Sequence, residues 1–402
     1  MRILYVAIKH DYGKPEQGLS FEHNTFFNTF MNSGFDIIYF DPFALMKKIG
    51  RENMNRRLSE IVASEKPDCL FCVLFGDELD ERTMRKISEK TDTVTINWFC
   101  DDHWRFDIYS RFWAPCFNWS ITTCQGALAK YARTGYSNVI KSQWACNHFL
   151  YRKLPVPFQY DVTFVGKIHS NRPSLVRTLR DAGIQAHAWG SGWESGRLTQ
   201  DEMIGVFNQS RINLNFSNAR VPILSWRKIF KLNSRRRILH LFDRVPYGKI
   251  IKHAGKKLLR NAQSVFTSRS TFAGKAISHE YCEGDKNATY SAQIKGRNFE
   301  IPGCGGLLLT EYADNLENYY ELGKEVVCFF GDKDLIEKIS HYLAHDEERR
   351  KIAEAGYVRT LHEHTYVHRF ADIFKKAGLM YNWEKDLFNG KARQGTVREI
   401  LK

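Results

Sequence analysis

The chain has no apolar run approaching the ~20 residues that a membrane-crossing helix needs, which excludes a spanning segment among its 402 residues. No leader is expected: the opening run Met1 to Ile8 is too short for a secretory hydrophobic segment and reads as a first β-strand. Nine cysteines without such a leader point to a reducing compartment. The expected location is cytoplasmic, with peripheral attachment to the inner membrane face as an option. No second cysteine pair stands at zinc-ligand spacing from Cys69 and Cys72. Those two fall three apart in an expected strand, where side chains i and i+3 point to opposite faces, so they read as small buried hydrophobes. His362, His364 and His368 are the other tempting cluster. Thr365 reads there as the N-cap of a final helix, and no metal is expected. Internal repeats and low-complexity segments are absent as well.

Acidic residues are scarce in one place. Between Arg220 and Lys275 there are fifteen Lys or Arg and a single acid, Asp243, while the other 346 residues carry 44 charges of each sign. The whole net charge of +14 therefore belongs to one segment, which argues against a general nucleic-acid binder. From Gly248 to Phe266, apolar Ile250, Ile251, Ala254, Leu258, Leu259, Ala262, Val265 and Phe266 recur at helical spacing with Lys249, Lys252, Lys256, Lys257 and Arg260 opposite. Such a basic amphipathic helix suits an anionic membrane surface, at ~1 kcal/mol per cation. The competing reading is a helix packed on its own domain with a solvated basic face.

What is present elsewhere is alternation. The content, 43% hydrophobic and 14% aromatic, supports two cores. Up to residue 155, strands are expected at Ile3 to Ile8, Asp36 to Phe40, Cys69 to Phe75, Thr93 to Phe99, Trp119 to Thr123 and Asn138 to Lys141. Helices fall between them at Phe21 to Asn32, Arg51 to Ser64, Asp80 to Lys90 and Gly126 to Arg133. Short continuous apolar strands alternating with helices predict a parallel, doubly wound sheet, with ligands beyond the carboxyl ends of its strands. Arg152 to Pro157, with two prolines flanking a valine, reads as a semi-rigid linker. A second alternation follows: strand Asp161 to Gly166, helix Ser174 to Ala182, strand Gln185 to Trp189, helix Gln200 to Gln209 and strand Arg211 to Phe216. The expected division is 1–155, 156–375 and a segment 376–402 returning to the first domain.

Several loops at strand ends carry chemistry. The loop from Lys9 to Gly18 ends before a helix, where backbone amides can meet an anion. At Asp101-Asp102-His103, adjacent side chains diverge, so one carboxylate faces the cleft as a base or as an acceptor-orienting group, with Asp102 the candidate; the alternative is a helix cap. Gly190, Gly192 and Trp193 follow another strand, with Trp193 a possible stacking wall for a base. The richest stretch is Gln293 to Thr310. Glu300 can accept the two hydroxyls of a ribose, and Lys295 and Arg297 can hold a diphosphate. Glycines 303, 305 and 306 permit close backbone approach, although a glycine-rich turn before a strand is often only a turn.

This stretch, together with Glu311-Tyr, Leu316-Glu, Gly323-Lys-Glu-Val-Val, Asp334-Leu, His364-Thr-Tyr and Arg369, resembles the CgeB-like glycosyltransferases, relatives of the two-domain GT-B-type sugar transferases. The resemblance implies an α/β, GT-B-like fold of two doubly wound Rossmann-like domains with a cleft between them. It further implies a donor of the nucleotide-diphosphate sugar type, UDP- or GDP-linked, and no prosthetic group. In the wider group a pair of glutamates seven residues apart flanks the donor, the second holding the ribose. Glu300 matches the second; the first falls on Ala292, which leaves the donor sugar open. The loop after Gly166 is implied to supply Lys167 and Arg172 to the diphosphate. Arg172, Lys295 and Arg297 would stabilise the leaving group, and Gly166, Gly190, Trp193, Gly305 and Gly306 would line the donor. The acceptor is expected to be lipid-linked or part of an anionic cell-surface glycan. The rivals are a sugar-nucleotide epimerase or inactive nucleotide-sugar-binding relative, and a peripheral membrane adaptor acting through 220–275.

Overall fold

The computed structural model describes residues 1–168, 171–219, 291–313 and 315–400. The basic segment 220–275, with the amphipathic helix expected within it, lies outside the described residues. Met1–Asn218 and Ala292–Lys402 form one unit, which contains both large sheets; the other, Ala219–Ser291, is almost wholly outside the described residues.

The first sheet has seven strands: β1 (Arg2–Val6), β2 (Asp36–Phe40), β3 (Cys69–Cys72), β4 (Val94–Phe99), β5 (Trp119–Thr122), β6 (Val139–Lys141) and β14 (Thr396–Glu399), in the order β14-β2-β1-β3-β4-β5-β6. All neighbours run parallel. The register sets Tyr5 beside Tyr39 and Phe71. β1 is buried from Ile3 to Val6, because helices cover both faces of a parallel sheet. Cys69 joins the core on one face and Cys72 the core on the other, as the period of two requires. A helix not anticipated from the sequence, Pro42–Ile49, starts after β2. Asp41 caps it by accepting from the amides of Phe43 and Ala44, and Pro42 opens it.

The second sheet has five strands: β7 (Tyr160–Val165), β8 (Ala186–Trp189), β9 (Ser210–Asn215), β12 (Leu308–Glu311) and β13 (Val327–Phe329). Their order is β13-β12-β9-β7-β8, again all parallel. Two-residue strands β10 (Asn218–Ala219) and β11 (Ser291–Ala292) pair with each other. Helix Gln200–Gln209 opens with a capping box in which Thr199 and Glu202 satisfy each other's amides.

After helix Asp346–Glu363 the chain returns to the first sheet. In helix Tyr366–Lys376, Tyr366, Val367, Phe370, Ile373 and Phe374 are buried. Phe370 and Phe374 meet Phe30 at 4.3 and 6.0 Å between ring centroids. Thr365 stands at the N-cap position, but its hydroxyl bonds the Nδ1 of His368 at 2.7 Å rather than a backbone amide. His364 uses its Nε2 on the Tyr319 carbonyl at 2.6 Å. Among the described residues no group of His, Cys, Asp or Glu is arranged to hold a metal.

Both sheets have a point where strand order reverses: between β1 and β3 in the first, and between β7 and β9 in the second. Loops leaving such neighbours part in opposite directions and open a crevice at their carboxyl ends.

Candidate active site

The second crevice is closed at its base by Arg172, the first residue of helix Arg172–Asp181. Its Nη1 donates to the Lys167 carbonyl at 3.0 Å and its Nη2 to the Phe216 carbonyl at 2.9 Å, so one side chain ties the loop after β7 to the loop after β9. The guanidinium lies 5.4 Å from the Phe164 ring centroid, and Nε is buried without a partner. Burial pushes its pKa down; Glu311 acts in the opposite sense, and Arg297 adds to the fall.

Arg297 opens the short helix Arg297–Gly303. It forms an ion pair with Oε2 of Glu300, one turn on, and its Nε donates to the Val165 carbonyl at 3.4 Å. Burial opposes its charge, but Glu300 and Tyr151 outweigh that and raise its pKa. Glu300 is fully buried. Its second oxygen, Oε1, has no partner. A methyl group on Gly296 would stand 3.0 Å from both that oxygen and the Phe21 ring. Lys295 places its Nζ 4.0 Å from Oδ1 of Asp101, across from the first sheet. Its pKa is lowered by burial, with Asp101 opposing and Arg172 adding to the fall.

A buried amide and hydroxyl network sets the start of this helix. Nδ2 of Asn215, at the end of β9, donates to Oδ1 of Asn298 at 3.0 Å and to Oγ1 of Thr310 at 3.1 Å. The same Oδ1 of Asn298 accepts from the Lys295 amide at 2.9 Å. β9, β12 and the helix are thereby locked in one register, which fixes where the Lys295 and Arg297 side chains begin.

On the opposite side, the two neighbouring carboxylates part company. Asp102 is buried in the first core, where Oδ2 accepts from the Tyr131 hydroxyl at 2.8 Å. Burial raises its pKa, against the hydroxyls of Ser110, Thr122 and Tyr131. Asp101, the helix-cap residue, is the one that faces Lys295. His103 is held neutral, its pKa lowered to about 4 by burial and by Lys295.

The structure thus gathers Arg172, Lys295, Arg297 and Glu300 and turns Asp102 away from them. Most of the remaining sequence candidates make contacts within the protein. A methyl group on Gly190 would stand 2.3 Å from the Gly166 carbonyl oxygen. Trp193 spends its indole N–H on that same oxygen, at 2.8 Å, and packs on Phe164. Gly166 itself sits against the Phe164 ring, and Lys167 is exposed. Gly305, at φ +74°, ends the short helix under the Lys153 side chain, while Gly306 is pressed on Asn213 and the Phe207 carbonyl. Both stand at the far end of the helix from Arg297. Sequence reasoning missed Tyr151, Asn298 and the polar alternation Asn213-Leu-Asn215. The last was legible in principle, since amides inside a buried strand need partners.

Residues 257–375 match the glycosyl transferase-like family. Among solved structures, HepE of Anabaena in complex with UDP and glucose is 10% identical, with a TM-score of 0.55 over 94% of this chain and 100% of that one. The GT-B frame is common to all these matches. The chain has the GT-B fold. A glycosyltransferase from Rickettsia africae is 8% identical, with a TM-score of 0.53 over 94% of this chain and 97% of that one. Sucrose-phosphate synthase from Thermosynechococcus elongatus is 8% identical, with a TM-score of 0.54 over 93% and 97%. No curated protein matches the chain. Among the described residues no helix is long and apolar enough to cross a membrane.

Proposed function

We propose that this GT-B enzyme transfers a sugar from a nucleotide-diphosphate donor to a glycan or lipid-linked acceptor. The observation that carries the reading is the convergence of Arg172, Lys295 and Arg297 with the Glu300 carboxylate at the strand-order reversal between β7 and β9. Cations fixed by backbone and network contacts stabilise the charge that grows on a departing diphosphate, and they need no reorganisation at the moment of bond cleavage. Glu300 has one oxygen engaged by Arg297 and one without a partner, which suits it to receive a ribose hydroxyl. Because the carboxylate is sealed, a ribose reaching it displaces the contact between Phe21 and Gly296. HepE, which shares the fold, was solved with UDP and with UDP-glucose, and that favours uridine among the donor bases.

In this reading residues 1–155 present the acceptor and 156–375 the donor, with 376–402 completing the first part; β14 at the edge of the first sheet supports that division. Asp101, rather than Asp102, orients the acceptor hydroxyl, since it is the carboxylate that faces Lys295. An anionic membrane as partner of 220–275 rests on that segment's charge alone. Calorimetric titration with UDP, GDP and ADP tests the donor assignment. One diphosphate should bind, and Arg172→Met should weaken it roughly tenfold or more, the loss of one charged contact. Equal binding by the variant, or no binding by the wild type, overturns the assignment.

A further inference from the structure

The crevice of the first sheet, between β1 and β3, carries a feature the donor reading does not use. Tyr12, in the loop after β1, and Phe75, in the loop after β3, meet edge to face at 5.8 Å and remain 51% and 45% exposed. Phe43, after β2, touches Phe75 from a third side at 5.8 Å. Trp104, after β4, is also exposed. Four consecutive sheet neighbours thus carry aromatic rings just beyond their carboxyl ends, three of them exposed and Phe43 half-buried.

These rings are held out by rigid frames. Tyr12 adopts φ 53° and ψ 23°, a left-handed conformation that an aromatic residue rarely takes. The turn is pinned by Asp11 N–H to the Gly18 carbonyl at 3.0 Å and Ser20 N–H to the Lys9 carbonyl at 2.9 Å. Gly13, at φ +69°, is seated so closely on Phe43 that a methyl group would stand 2.5 Å from the ring. The Phe75 loop is fixed by the buried Glu78, whose oxygens accept from the amides of Phe75 and Gly76 at 2.7 and 2.6 Å. Arg105 donates to the Phe75 carbonyl at 2.9 Å. A left-handed tyrosine and exposed rings on a hydrogen-bonded frame are features that binding surfaces share.

The surface is continuous with the donor cluster. Arg105 ends the helical turn that begins after Asp101, the partner of Lys295. Asp11, next to Tyr12, pairs with Arg197 of the second half at 3.0 Å. Its rim carries the carboxylates Asp11 and Asp101, each paired with a cation, so the rim is charge-balanced and offers oxygens that can accept hydroxyl groups. Arg105 is spent on Phe75 and on the Tyr109 ring, 4.0 Å away.

We infer that this aromatic crevice is the acceptor subsite and that it takes an uncharged sugar ring, its C–H face lying on Tyr12 and Phe75 and its hydroxyls at the carboxylate rim. A pyranose offers one apolar face bordered by hydroxyls, which matches flat rings flanked by acceptors. The inference rests on the glycosyltransferase reading of the cleft, and it narrows the acceptor to a neutral glycan terminus rather than an anionic one.

Saturation-transfer NMR with maltotriose, cellotriose, laminaritriose and chitotriose tests it, using the full chain, Phe75→Ala, Phe75→Trp and Tyr12→Asn. Asparagine tolerates the left-handed backbone, so that variant removes the ring without adding strain. Expected is weak binding of at least one trisaccharide, in the millimolar range. Phe75→Ala and Tyr12→Asn should weaken it roughly tenfold, and Phe75→Trp should restore it. Nucleotide titration of the same samples reports the donor site separately and should not change. If no trisaccharide binds to a protein that binds nucleotide, or if binding survives both ring losses, the subsite is refuted. Loss of binding to phosphatidylglycerol vesicles by the ring variants, without any glycan effect, would refute it equally, as a lipid surface.

Discussion

Replacing Glu300 by glutamine separates the two tasks assigned to that side chain. The variant keeps the size and one acceptor oxygen but removes the charge that Arg297 pairs with. Breaking a buried ion pair by removing one partner costs about 3–5 kcal/mol when the remaining charge is fully buried. Here the Arg297 side chain is 26% exposed and keeps its bond to the Val165 carbonyl. The expected loss of stability is therefore at or below the low end, about 2–3 kcal/mol, seen as a lower urea midpoint at unchanged slope. Nucleotide binding should fall independently. A hydrogen bond to a charged acceptor contributes about 1.5–3 kcal/mol, so the diphosphate that binds the wild type should bind Glu300→Gln roughly 10- to 100-fold more weakly. Both quantities come from one preparation, by urea titration and calorimetry. Affinity within about twofold of wild type, alongside a lowered urea midpoint, would refute the ribose role and leave Glu300 as the counter-charge of Arg297 only.

Gly296 has φ −52° and ψ −38°, so Gly296→Ala adds no backbone strain. Its methyl group would stand 3.0 Å from Oε1 of Glu300 and from Phe21; overpacking should lower stability by ~1–3 kcal/mol, and nucleotide affinity should drop by a further ~1–3 kcal/mol, read by thermal melting and calorimetry. His364, among Phe299, Tyr319 and Tyr320, has its pKa lowered to about 3 by burial first and then by Arg369 and Arg359. Its folded-state pKa lies below its unfolded value. The stability it contributes is therefore complete above about pH 6.5 and is lost as pH falls towards 3, at roughly 1.4 kcal/mol per pH unit. His364→Gln should flatten that part of the urea-midpoint profile, and an unchanged profile counts against the assignment. Deleting residues 394–402 removes β14 and its Lys9–Glu399 and Arg398–Glu65 pairs. Because β14 is exposed throughout, a fall of only a few degrees in Tm is expected, together with light-scattering signs of association through the bared edge of β2.

Why some of this could be read in the sequence and some could not follows from where each residue's signal resides. The apolar run of β1 is buried on both faces, so burial itself wrote the pattern. β14, Thr396-Val-Arg-Glu399, is exposed along its whole length and carries no pattern to read; only its position beside β2 makes it a strand. The cations could be singled out because a guanidinium or ammonium does the same chemistry wherever it ends up. Arg172 and Arg297, 125 positions apart in the chain, each start a helix beyond a strand end, and the sheet order does the rest. Glycine has no such content of its own. Gly190, Gly305 and Gly306 do mark close approaches, but what approaches is the Gly166 carbonyl, Lys153 and Asn213, and the sequence cannot distinguish a protein neighbour from a ligand. The Asp101-Asp102 pair marks a third limit. One of two adjacent side chains had to face outwards, and which one depended on the phase of the turn after β4. That phase is set by Tyr131, whose hydroxyl holds Asp102 inside the first core. A residue 29 positions away in the chain thereby decides that Asp101 meets Lys295, so an Asp101→Asn variant tests the cleft and an Asp102→Asn variant tests the core.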